Sequence, residues 1–277
     1  MQPTNRPRQG AHSKKPASSA KPQKRTLSPN TPVASLRLGS GVIYMTVLLA
    51  IAMLLSAGLL QNQLIGLMPQ AGQSGMRAII LFVVYLIELV ALSYCAYRHR
   101  EKFIDFFRLR LGASEASASG EESSPYSRTG WSSAGLVLGF LLGLRLFSMG
   151  WTLLTDEIGW RIGRTADVLD LFGKTNVGLI VTVLLVVVLA PIVEELVFRG
   201  LMQRWLSTHI PTVASIALTS ILFALYHLSF WAAPLNIALG ACAGYLSHRC
   251  KTLYPAIVLH MLYNATLVIA AFYLASA

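Results

Sequence analysis

Two adjacent carboxylates, Glu194 and Glu195, lie inside a long apolar stretch that begins at Pro191 and continues through Arg199 and Gly200. Ionisable side chains in a bilayer are costly, so each needs a partner, a proton or a function. On a helix, Arg199 falls four residues after Glu195 and shares its face. It falls five after Glu194, roughly 140° further round. The spacing predicts that Arg199 neutralises Glu195 and leaves Glu194 without a local cation. An unpartnered carboxylate in a dry setting is suited to take up and return a proton. Two more polar groups stand on other apolar stretches. One ends Phe223-Ala-Leu-Tyr-His227; the other reads His260-Met-Leu-Tyr-Asn264, which places a histidine and an amide on one helix face. Such a pair can donate to a developing oxyanion. Counted from helix ends near 207 and 212, Glu194 and His227 lie at a similar depth of roughly 20 Å; His260 lies roughly 13 Å from Lys251. Glu88 and Arg145 stand alone on their segments and read as a structural ion pair or as polar contacts within the bundle.

The elements that carry these residues are apolar and long. Seven segments have the length and composition of membrane spans: about 41–60, 78–97, 132–154, 177–207, 212–229, 231–247 and 254–275. A span needs about 20 apolar residues. The stretch 155–176 is amphipathic, with Trp160, Ile162, Val168, Leu169, Leu171 and Phe172 among charges, and is read as interfacial. Counting it would make eight spans. The fold class expected is all-α: a polytopic transmembrane helix bundle. Gly135, Gly139 and Gly143, and again Gly240 and Gly244, recur every four residues, which lets membrane helices approach closely.

Composition agrees. Of 277 residues 54% are hydrophobic and 13% charged, about half the charge of a soluble domain. No charged residue lies between Arg37 and Arg77. The net charge of +11 is partly local. Residues 1–40 hold Arg6, Arg8, Lys14, Lys15, Lys21, Lys24, Arg25 and Arg37 without an acid, set among Pro, Ser, Asn and Gln. That composition cannot bury enough apolar surface to fold alone. With no aromatic or folded module beside it, the segment reads as a disordered basic tail next to anionic lipid headgroups, not as a nucleic-acid arm. It is also too long for the n-region of a signal peptide.

Short-loop Lys and Arg set orientation. The tail, the 98–110 stretch, Arg199 and Arg204, and the group His248, Arg249 and Lys251 all suit a cytosolic N-terminus in a multi-pass cell-membrane protein. Four regions result: a tail at 1–40, a two-span part at 41–110, a flexible linker at 111–130 rich in Ser, Ala, Gly and Glu, and a core at 131–277. Cys95, Cys242 and Cys250 form no CxxC pair, which argues against a disulfide framework or a cysteine zinc site.

Taken together, Glu194/Glu195/Arg199, Phe223/His227 and His260/Asn264 give Glu-Glu-x-x-x-Arg, Phe-x-x-x-His and His-x-x-x-Asn in order. This constellation resembles the CPBP intramembrane proteases, which group CAAX prenyl endopeptidases with bacterial bacteriocin-processing and immunity (Abi) proteins. The resemblance covers roughly 131–277. It implies hydrolysis of a peptide bond in a membrane-associated or lipidated substrate. By it, Glu194 and His227 activate the attacking water, His260 and Asn264 stabilise the oxyanion, and Glu195 and Arg199 support them. The family has also been described as metalloproteases; a zinc ion, if bound, would fall to Glu194, His227 and His260, although there is no HExxH. Two other readings use the same residues: a proton-coupled transporter, against which no inverted repeat is visible, and a non-enzymatic immunity or binding protein of the same fold.

Overall fold

In the computed structural model the residues described are 70–98, 102–109, 126–160, 172, 175–227 and 229–276. The tail at 1–40, the span expected at 41–60, most of the linker and most of the amphipathic stretch lie outside them. The described part is helical, with no strand among the described residues: α1 (Gln70–Arg98), α2 (Phe103–Phe106), α3 (Tyr126–Glu157), α4 (Asn176–Leu206), α5 (Thr212–Tyr226), α6 (Ala233–Cys250) and α7 (Tyr254–Ser276). Residues 126–130, assigned to the linker from sequence, are the start of α3.

Four of these helices are long and apolar enough to cross a membrane: Gly72–Arg98, Ser133–Glu157, Asn176–Leu206 and Tyr254–Tyr273. They answer to four of the expected spans. The segments 212–229 and 231–247 become a hairpin, α5 and α6, of 15 and 18 residues. At 1.5 Å per residue α5 is only about 22 Å long, short of a hydrocarbon core of about 30 Å.

Local chemistry sets the ends. Thr175 caps α4, its hydroxyl accepting from the Gly178 N–H at 3.0 Å. Pro211 precedes α5, and α6 carries a proline in its first turn, where the missing N–H costs nothing. Lys251 closes α6 in the left-handed conformation at φ 57°.

The helix α6 packs against α5 and α4 through glycine. A Cβ on Gly240 would lie 3.0 Å from the Ser220 Cα, and one on Gly244 would lie 2.7 Å from Gln203 Oε1. By contrast, a Cβ on Gly135, Gly139 or Gly143 of α3 would meet nothing within 4 Å. The second repeat is therefore a packing seam; the first is not, among the described residues.

One buried cluster runs through α1, α3, α4, α5, α6 and α7 and includes Leu92, Leu144, Val193, Phe223, Leu239 and Leu259. The helix α2 joins it unexpectedly. The 98–110 stretch reads as a basic loop, yet Phe106 and Phe107 are fully buried. Phe107 lies against Gly200, where a Cβ would come within 2.8 Å of its ring. Arg204 Nη1 donates to the Phe106 carbonyl, and Thr252 Oγ1 donates to the Arg108 carbonyl at 2.8 Å. This turn thus ties the ends of α4 and α7 together.

Candidate active site

The helix α4 is not a regular α-helix. A π segment, Val183–Leu189, precedes the α turn Ala190–Glu195, and a second, Leu196–Gln203, follows it. Such wide turns are rare and concentrate at functional sites. The turn between them holds Pro191, Glu194 and Glu195, all buried.

Glu195 is completely enclosed and fully engaged on one oxygen. Its Oε1 accepts from Arg199 Nη1 at 2.8 Å and from His260 Nδ1 at 2.9 Å. A carboxylate only accepts, so the second contact assigns the Nδ1 proton of His260. The guanidinium of Arg199 lies over the Phe223 ring, 4.5 Å from its centroid. A cation on an aromatic face in a desolvated setting is held by the ring quadrupole.

His227 sits where α5 ends. Its Nδ1 is 2.8 Å from the Phe223 carbonyl oxygen, which again can only accept, so Nδ1 carries the proton there too. Both imidazoles therefore turn Nε2 the other way, and both point at the same atom. His227 Nε2 is 3.9 Å and His260 Nε2 3.8 Å from Glu194 Oε2. That oxygen has no hydrogen-bond partner among the described residues. The Glu194 side chain is 7% exposed and that of His227 31%, so the site opens on the His227 side.

Phe223 joins the site's rings, a role that the Phe-x-x-x-His spacing alone does not reveal. It is fully buried. Its ring meets those of His227 at 4.6 Å, His260 at 5.6 Å and Phe198 at 5.2 Å. Its carbonyl fixes the His227 tautomer. The available signal was its position four residues before His227, which puts both on one helix face.

Of the residues singled out in the sequence, Glu194, Glu195, Arg199, His227 and His260 meet in one place. Asn264 does not join them directly: its Nδ2 donates to the Val186 carbonyl at 2.9 Å. Glu88 and Arg145 form no ion pair with each other. Arg145 Nη2 donates to the Tyr263 carbonyl, and its guanidinium lies 4.0 Å from the Tyr263 ring centroid. Glu88 is 1% exposed, and neither of its carboxyl oxygens has a hydrogen-bond partner among the described residues.

The residues to which a zinc ion would fall, Glu194, His227 and His260, face one another at 3.8 and 3.9 Å between Nε2 and Oε2. Among the described residues no group of three or more His, Cys, Asp or Glu side chains could hold a metal ion, and no step below is routed through one.

No curated protein and no solved structure matches the chain. Residues 176–266 match the family model described as Type II CAAX prenyl endopeptidase Rce1-like. That segment contains every residue of the three motifs, and over it the chain's resemblance to the CPBP and CAAX intramembrane proteases is borne out.

Proposed function

We propose that this chain is an intramembrane endopeptidase that hydrolyses a peptide bond in a membrane-associated or lipidated substrate, with Glu194 and His227 activating water. One observation carries the reading: two histidines anchored at Nδ1 converge through Nε2 on a carboxylate oxygen without a partner. The gaps of 3.8 and 3.9 Å exceed a hydrogen bond and suit a water held between the groups.

In this mechanism the water donates one proton to Glu194 while its oxygen attacks the scissile carbonyl carbon. The His227 Nε2 lone pair accepts the water's other hydrogen and orients it. The carbonyl oxygen becomes an oxyanion, and His260 faces it. With its Nδ1–H held by Glu195, His260 can carry a second proton on Nε2 and donate it as a hydrogen bond, as a carboxylate-backed imidazole does elsewhere. Collapse of the tetrahedral intermediate breaks the C–N bond, and the proton on Glu194 passes to the leaving nitrogen. Arg199 keeps Glu195 ionised throughout.

The chain in this reading sits in the cell membrane with its N-terminus in the cytosol, and its basic tail lies against anionic lipid. No cofactor is required by the steps above.

Replacing Glu194 or His227 with Ala should lower cleavage by roughly 100- to 10,000-fold, the usual worth of a general base. Comparative proteomics of membranes carrying the native or variant chain would reveal the uncut precursor. Normal processing by either well-inserted variant would sink the proposal. A fully functional Glu194→Ala/His227→Ala chain would point instead to a non-enzymatic binding protein.

A further inference from the structure

Pro191 leaves a specific gap in the hydrogen bonding of α4. In the π segment before it, the Ala190 N–H bonds the Leu185 carbonyl, five residues back. The next bond in that register would run from residue 191 to the Val186 carbonyl. Proline has no N–H to give. Inside a membrane bundle a backbone carbonyl that has lost its donor must find another within the protein.

The donor comes from another helix. Asn264 Nδ2, on α7, bonds the Val186 oxygen at 2.9 Å. Because a carbonyl can only accept, the amide orientation is fixed: nitrogen toward Val186. One turn earlier on the same face of α7, His260 donates to Glu195. The face thus holds α4 on both sides of Pro191, at Val186 before it and at Glu195 after it.

We infer that Asn264 is a positioning residue, whose amide replaces the N–H that Pro191 lacks and so holds α4 in the register that presents Glu194 to His227 and His260. Dropping the extra residue of a π turn would rotate everything beyond it by about 100°. Glu194 would then leave the two imidazoles. The effect on cleavage rests on the endopeptidase reading above; the hydrogen-bond exchange itself does not.

The test is a double-mutant cycle on the purified full chain in detergent. Pro191→Ala returns a backbone N–H, and Asn264→Ala removes the replacement donor. The readouts are the thermal midpoint, and kcat and KM on an internally quenched, farnesylated CAAX peptide, per folded enzyme. In the Pro191 chain, Asn264→Ala should lower the midpoint by several degrees and kcat at least tenfold, with KM little changed. In the Pro191→Ala chain the midpoint penalty should fall to less than half, because the two changes act on one carbonyl.

Equal midpoint penalties in both backgrounds would overturn the exchange. A coupled midpoint with unchanged kcat would overturn the positioning role. A fall in kcat with no midpoint change would mark Asn264 as a donor to the reaction alone and also overturn it. Where Asn264→Ala does not fold, Asn264→Ser takes its place in the same cycle. If the unaltered chain cleaves no peptide, the endopeptidase reading fails, while the midpoint cycle still decides the exchange.

Discussion

The helices α1 and α3 and the helices α4 to α7 contain the same ingredients and use them differently. Each group places acid in the membrane: Glu88 in one, Glu194 and Glu195 in the other. Each has an arginine, Arg145 or Arg199, and each has a glycine repeat. In α4 to α7 the acid, the arginine and two histidines close on one another within 2.8 to 3.9 Å. In α1 and α3, Arg145 settles on a carbonyl and a ring of α7, and Glu88 finds no hydrogen-bond partner among the described residues. The glycines divide in the same way, one set against Ser220 and Ile216 and the other with no neighbour within 4 Å among the described residues. Residue type and spacing are thus not enough to make a site. What separates the two regions is whether neighbouring helices bring the ionisable groups into contact with one another.

The sharpest way to break this comparison is to remove each arginine. Arg199→Ala strands the enclosed Glu195 carboxylate and should cost about 3–5 kcal/mol, the penalty for breaking a buried pair. Arg145→Ala loses one hydrogen bond and one ring contact and should cost about 1–3 kcal/mol. Thermal unfolding in detergent would measure both, and equal losses would mean that the two arginines do equivalent structural work.

A smaller difference is expected at the glycines. Gly240→Ala forces a methyl against the Ser220 backbone and should cost about 1–3 kcal/mol. Gly139→Ala meets nothing among the described residues and should stay within about 0.5 kcal/mol of the native chain. A stability loss at Gly139 as large as at Gly240 would show that the α3 stripe also packs.

The smallest effect belongs to Glu88. Glu88→Gln keeps the shape and removes the ionisable group, and cleavage should stay within about threefold of native. A fall of more than tenfold, with folding intact, would bring α1 into the chemistry and collapse the contrast between the two regions.

Much of the site was legible because helix periodicity is local. The four-residue step from Glu195 to Arg199 predicts their contact, and the bond is present at 2.8 Å. The same step puts His260 and Asn264 on one face, and both do bond to α4. Their partners were not legible. The resemblance gives both residues to an oxyanion; in the structure His260 Nδ1 bonds Glu195, which leaves Nε2 toward Glu194, and Asn264 Nδ2 bonds the Val186 carbonyl. Nor could spacing show that α4 widens into π turns, because the hydrogen-bond register of a helix leaves little trace in an apolar run of Val and Leu. The burial of Phe106 and Phe107 was hidden by the charges around them, since flanking Arg and Lys read as a solvated loop.

By itself the sequence determined that the chain is a helical membrane protein, which residues are too costly in lipid to be idle, and which of them share a helix face. Those properties follow from hydrophobicity and a fixed rise and turn per residue. Only the tertiary structure decided that two histidines from separate helices turn Nε2 onto Glu194, that Phe223 braces them, and that an amide from α7 serves the carbonyl left by Pro191. Those depend on the crossing and relative height of helices far apart in the chain, which packing between side chains sets and local pattern does not encode.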